Sequence, residues 1–263
     1  MIKDRVFIAV CVLLCAVCIA AGIWLVSGIF SEKDPVTETD GLPVVATVPE
    51  TTERPAETTT EPAGLVFKES LIESAVRSYL GKDGAIFSSD LDGITMLDIL
   101  ATDVAVNEKR GSARISYYYG EMKLEFGGAV YTQPGGIASL DDLQYFKNLT
   151  YLRIWFNSVT DLSPLASLDS LTFLSLDGNQ VSDLAPLANL KHLNYLDLWK
   201  NKVKDISVLA NLTEMQTLYL FGNQIEDISA LSGLKKLKNV DLDKNKIQDW
   251  SPVSHVVNVT GRP

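Results

Sequence analysis

From Leu149 the chain repeats every 22 residues. The first unit reads LTYLRIWFNSVTDLSPLASLDS, and the second, from Leu171, reads LTFLSLDGNQVSDLAPLANLKH. Further units begin at Leu193, Met215 and Leu237, so the pattern LxxLxLxxNxVxDLxPLxxLxx runs through five units without an insertion. A unit this short cannot bury its own leucines. The units must stack into one continuous core whose open ends need caps.

The physics of one unit is readable. Leu152 and Ile154 are two apart, as on a strand with one inward face. Asn157, Asn179, Asn201, Asn223 and Asn245 recur where the chain turns. A backbone turning between stacked units needs donors and acceptors, and an Asn amide supplies both. Asp161, Asp183, Asp205, Asp227 and Asp249 follow four residues later, just before a short apolar turn. They suit the N-cap of that turn better than a calcium ladder. Pro164, Pro186 and Pro252 suit an early position inside it.

Upstream, Lys68 to Leu80 places Leu71, Ile72, Ala75, Val76, Tyr79 and Leu80 on one helical face, and Gly81 can end the helix. Ile137, Leu140, Leu143 and Phe146 match the back half of a degenerate unit, one period before Leu149. Between them, Ile99 to Asn107, Ala113 to Tyr119 and Met122 to Tyr131 are β-rich, with turns expected at 107–111 and 120–121. They are expected to form a small β insertion ahead of the array. At the other end, Trp250, Pro252, Val253 and Val256 continue the pattern.

A fixed period of this kind is the leucine-rich-repeat signature. The array resembles the 22-residue repeats of the internalin-type leucine-rich proteins of bacterial surfaces. The helix and Ser89-Asp-Leu-Asp-Gly-Ile-Thr-Met-Leu97 are similar to their N-terminal cap. The likeness covers roughly residues 65 to 260. It departs at 99–131, and the chain shows no C-terminal sortase motif or wall-binding module. The fold expected is α/β: a leucine-rich-repeat solenoid with a parallel β-sheet on the concave face, an N-terminal helical cap and a small β insertion. The resemblance implies an extracellular protein-binding scaffold.

The first 64 residues have a different character. Residues 6–30 carry no charge, and about 20 apolar residues suffice to cross a bilayer as a helix. Lys3 and Arg5 precede them while Glu32 and Asp34 follow, which puts the N-terminus in the cytoplasm and the array outside. A cleaved signal peptide and a lipid anchor are the alternatives. The apolar run outlasts a usual signal core, and Leu14 and Val17, which precede Cys15 and Cys18, are not the small residues a lipid-modified cysteine needs. Residues 31–64 hold 19 Thr, Pro or Glu among 34 and a charge of -6, which reads as an extended stalk. The expected order is thus a cytoplasmic tail at 1–5, a single-pass anchor at 6–30, a linker at 31–64, a cap with its β insertion at 65–136, and the array with its C-terminal cap at 137–263.

Residues three, five and seven of each unit should face outward on the strands. Aromatics are 22 of 263 residues, so 15 such positions would hold about one by chance. They hold seven: Tyr151, Trp155, Phe173, Tyr195, Trp199, Tyr219 and Phe221. Exposed aromatic groups of this size mark interfaces, where Tyr and Trp are favoured anchors. Arg153, Asp177, Asp197, Asp241 and Asp243 are expected to form polar rims. The competing reading is that these rings stabilise the sheet as cross-strand pairs. The expected ligand is a protein, and carbohydrate stacking on Trp155 and Trp199 is a second option. A structural component that docks other envelope proteins is the alternative function.

Other classes find little support. A net charge of -10 makes a poor nucleic-acid binder. Two histidines, His192 and His255, and three cysteines confined to residues 11–18 leave no zinc spacing and no disulfide framework outside the apolar segment. Neither histidine has a nucleophile or carboxylate at a fixed spacing, and Gly81-Lys-Asp-Gly84 lacks the spacing of a phosphate loop. The sequons at Asn148, Asn211 and Asn258 read as by-products of the repeat. No enzyme activity and no cofactor are expected.

Overall fold

The structure is a computed structural model, and it describes residues 63–108, 114–118, 121–126 and 129–263. The expected anchor and all but the last two linker residues lie outside them. No helix among the described residues is long and apolar enough to cross a membrane.

Alternation in each repeat produces a short strand, and the strands pair side by side. The elements are α1 (Ser70–Leu80), β1 (Met96–Leu100), β2 (Asp103–Val106), β3 (Arg114–Tyr118), β4 (Glu121–Phe126) and β5 (Ala129–Tyr131). The array follows with β6 (Tyr151–Trp155), β7 (Phe173–Ser175), β8 (Tyr195–Asp197), β9 (Thr217–Tyr219), β10 (Asn239–Asp241) and β11 (Asn258–Thr260). One sheet has the order β11-β10-β9-β8-β7-β6-β1-β2, parallel throughout except for β2. Each repeat returns through a 3-10 turn, such as Ser163–Ser167 or Ala185–Asn189, and successive turns stack on one another. The repeat leucines fill the space between sheet and turns. Leu152, Leu174, Leu196 and Leu218 are fully buried, as are Leu165, Leu187, Leu209 and Leu231.

The turn aspartates act one residue earlier than a strict N-cap. The caps are Leu162, Leu184, Ile206, Ile228 and Trp250. The preceding Asp accepts the N–H two residues ahead, at 2.8 Å for Asp161, Asp183 and Asp205, 2.7 Å for Asp227 and 2.9 Å for Asp249. These Asx turns satisfy a donor that the short turn leaves over. The backbone N–H of Ser207 and that of Ser251 hold Asp205 and Asp249 below the usual carboxylate range.

Helix α1 begins two residues later than its apolar face suggests. It ends at Gly81, whose φ of 62° is the left-handed conformation a helix C-terminus favours in glycine. No local side chain caps its start. Asp142, buried in the first 3-10 turn of the array, accepts the N–H groups of Lys68 and Glu69, both at 2.8 Å. Glu69 in return accepts Ser139 N–H at 3.1 Å. The cap is thus bonded to the array through its backbone.

The β-rich stretch is arranged differently from the expectation. Residues 96–106 belong to the main sheet: β1 pairs with β6 from Met96↔Tyr151 to Leu100↔Trp155. β1 is therefore the strand of the first, degenerate repeat, whose back half begins at Ile137. The Ile137 N–H bonds Asn157 Oδ1 just as the Val159 N–H bonds Asn179 Oδ1. The inserted chain lies inside this repeat, between its strand and its turn. It includes the separate antiparallel sheet β3-β4-β5. Leu124 of β4 packs with Leu100, Ala101 and Phe156 in a small second core. The chain re-enters at Gly135, where a Cβ would lie 2.2 Å from Ala101 O and 2.4 Å from Asn157 Oδ1. Only glycine fits that approach.

Candidate functional site: the open face of the sheet

The turn asparagines place the strands in register. Asn179 Nδ2 donates to Ile154 O of the previous strand at 2.7 Å and to its own Leu176 O at 3.0 Å. Asn201, Asn223 and Asn245 each donate 25 residues back, to Leu176 O, Leu198 O and Leu220 O. Asn157 donates to Trp155 O at 2.9 Å. Asn157, Asn179, Asn201 and Asn223 are buried, and Asn245, near the open end, is half-buried.

Held this way, outward positions form lateral rows. One row runs Met96, Tyr151, Phe173, Tyr195, Thr217, Asn239, Asn258. Tyr151, Phe173 and Tyr195 stack with ring centroids 4.2 Å apart at 11°. Tyr219, one row over, meets Tyr195 edge-on at 5.8 Å. The row then turns polar: Asn258 donates to Asn239 and Asn239 to Thr217. Trp199 and Phe221 form a second stack at 5.3 Å, and the Lys200 ammonium lies over both rings at 5.7 and 5.3 Å. Lys200 holds φ at 53°, and its stem passes Gly222. The repeat pattern does not reveal that lysine's role, because the same position holds Phe156, Gly178, Gly222 and Lys244 in the other units.

The face is less open than seven outward rings suggest. Tyr151 is buried, and Phe173, Tyr195, Trp199, Tyr219 and Phe221 are half-buried because each covers its neighbour. Trp155, also half-buried, donates its indole N–H to Ser175 and packs against the second core. Arg153 is not a rim residue. Its Nε and Nη2 bond the two oxygens of Asp98 at 2.7 and 2.5 Å, and its guanidinium lies 4.6 Å over Trp155. Asp98 is 0% exposed. No regularity of the repeat announces it, since Asp98 lies in the interrupted unit.

Asp177 and Asp197, expected at the rim, are also buried. They hydrogen-bond each other. Ser175 donates to Asp177 at 3.2 Å, while Trp199 N–H and Tyr195 OH donate to Asp197 at 3.1 and 3.4 Å. Burial, and next the charge of Asp197, pushes Asp177 well above the usual carboxylate range. Burial pushes Asp197 up to about 6. Arg153 lies close enough to oppose the shift at Asp177, and Asp241 reinforces that at Asp197. Burial raises the Tyr195 phenol, with Asp197 and Asp177 adding to it.

This pair should destabilise the protein at neutral pH. A carboxyl whose folded pKa is raised contributes stability that is fully present below the unfolded value of about 3.9 and is lost as pH rises through the folded one. Wild type should therefore lose urea resistance, relative to Asp177→Asn, as pH rises above about 4. The comparison removes the opposing contribution of exposed turn aspartates, which both proteins share. Parallel midpoint curves would contradict a shared proton at this site.

The two histidines are exposed, and His255 Nε2 lies 3.1 Å from Leu234 O. Among the described residues no three His, Cys, Asp or Glu side chains gather to hold a metal ion.

The profile for leucine-rich repeats (2 copies) matches residues 147–189, 169–211 and 213–255. No curated protein matches the chain. Among solved structures, an internalin (inlF) from Listeria monocytogenes aligns with a TM-score of 0.52 at 23% identity, over 77% of this chain and 58% of its own. This chain therefore spans little more than half of that internalin's length. An internalin C2 from the same organism aligns at 26% identity over 74% of this chain and 94% of its own, with a TM-score of 0.43. A leucine-rich-repeat protein from Leptospira interrogans aligns at 25% identity over 49% and 35%, with a TM-score of 0.45. Repeat period, Asn ladder, parallel sheet and 3-10 turns together make the domain a leucine-rich-repeat solenoid, a fold it shares with the internalin inlF.

Proposed function

We propose that the chain is a membrane-anchored, outward-facing scaffold that captures a protein partner on the open face of its sheet. The observation that carries this reading is the stack of Trp199 on Phe221 with Tyr219 beside it, half-exposed on a rigid sheet. Rigid rings lose little entropy on binding, and Tyr and Trp are common anchors at interfaces. Leucine-rich-repeat domains typically bind proteins. The uncharged run at 6–30 and the basic residues before it support the anchor and the direction in which the array faces. Carbohydrate stacking on the rings is a second ligand chemistry that this surface admits.

One experiment tests both parts. Cells carrying the full chain are treated with a membrane-impermeant crosslinker, and the products are compared with those of Trp199→Ala, Phe221→Ala. Truncating such anchors costs about 2 kcal/mol or more of binding, roughly thirtyfold in affinity. The wild-type adduct should therefore vanish in the variant while its melting point holds, since neither ring belongs to the leucine core. Absence of any labelling would refute the outward placement. An unchanged adduct in the variant would refute the binding face. Trp155 is unsuited to this test because its bond to Ser175 and its contact with Arg153 give it a structural part.

A further inference from the structure

The row that contains Arg153 continues across the sheet as Asp98, Arg153, Ser175, Asp197, Tyr219, Asp241, Thr260. At one end it holds a guanidinium that belongs to the chain. Arg153 bonds Asp98 with two nitrogens and lies over an aromatic ring. At the other end carboxylates and rings recur, but the cation there, Lys200, lies over Trp199 and Phe221 and makes no ion pair with Asp197 or Asp241. Tyr219 stands in register between Asp197 and Asp241, with Trp199 and Phe221 stacked alongside. No described lysine or arginine lies within ion-pair distance of either carboxylate. Both oxygens of Asp197 have donors, but Asp241 receives only Asp243 N–H, at 3.0 Å on Oδ1. No donor among the described residues reaches its Oδ2, and both Asp241 and Tyr219 are half-exposed.

We infer that the partner inserts an arginine side chain here, stacked on Tyr219 and bonded to Asp241, with Asp197 adding negative charge from below. The inference rests on the protein-binding reading above and names the partner chemistry. Arginine fits better than lysine. A planar guanidinium stacks on a ring while its in-plane N–H groups still reach a carboxylate, and it is more weakly hydrated than an ammonium. The acidic balance of the chain, -10 overall, favours the approach of a basic segment.

The test pans a random dodecapeptide phage library on the full chain and keeps the peptides whose binding is lost on Trp199→Ala. These peptides should share an arginine. Synthetic versions with citrulline in its place should bind wild type at least tenfold more weakly, and the difference should shrink below twofold on Asp241→Asn. Citrulline keeps the shape and loses the charge, so this comparison on wild-type protein does not depend on how the variant folds. Peptides that depend on Trp199 but tolerate citrulline, or a citrulline loss undiminished in Asp241→Asn, would overturn the arginine site and leave the binding face standing. If no selected peptide depends on Trp199, the face and the arginine site both fall.

Discussion

Replacing Asn201 by alanine should lower stability by about 3 kcal/mol. Asn201 Oδ1 accepts Val181 N–H at 2.9 Å, and its Nδ2 donates to Leu176 O at 2.9 Å and Trp199 O at 3.3 Å. Alanine would leave a buried donor and a buried acceptor unpaired, at about 1–3 kcal/mol each. Because repeats contact only their neighbours, the weakened junction sits in mid-array, and the urea transition should broaden as its two sides uncouple. Asn245→Ala should cost less, since water reaches its half-buried site. Lys204→Ala, on an exposed side chain, should stay within about 0.5 kcal/mol. Equal midpoints for Asn201→Ala and Lys204→Ala would refute the ladder.

The solenoid was legible in the sequence because each of its parts recurs at a fixed spacing. Period two at Leu152 and Ile154 is a strand, an Asn after it is a turn, and an Asp before an apolar pair is a turn start. Each is a local rule repeated often enough to remove ambiguity. The boundary of the insertion was less legible, because the pattern there is a single interrupted unit. Leu97 and Ile99 alternate just as a free-standing hairpin would. What assigns them to the main sheet is pairing with β6, 55 residues away, and no local pattern encodes a partner strand. The cap for α1 was hidden for the same reason. Asp142 looks like any polar turn residue until the fold brings Lys68 and Glu69 onto it.

The site divides along the same line. Periodicity identified which side chains leave the strands, so the aromatic rows could be read directly. It gives no measure of how far neighbouring rings cover one another, nor of which outward polar groups find partners across the sheet. Asp177 and Asp197 share outward positions with Trp155 and Tyr219, yet they are buried against each other. Side-chain length explains the difference: a short carboxylate lies below a surface that long rings define.

Arg153→Ala should be the most damaging substitution on the open face, at about 3–5 kcal/mol. It removes the guanidinium that bonds both oxygens of Asp98, a carboxylate with no exposed surface. A buried ion pair adds little net stability, because desolvating two charges offsets most of their attraction. Removing one partner is different, since the other charge stays where water cannot reach it. The damage should therefore shrink when both charges go together. In a double-mutant cycle by urea denaturation, Asp98→Asn, Arg153→Met should lie closer to wild type than Arg153→Met alone. A cycle with no coupling would show that Arg153 acts only by packing over Trp155. The pair also closes β1 onto β6, the seam where the interrupted repeat meets the regular array. Loss of Arg153 should accordingly release the cap before the array unfolds. Amide exchange should rise first in residues 96–106, while 171–242 keep their protection.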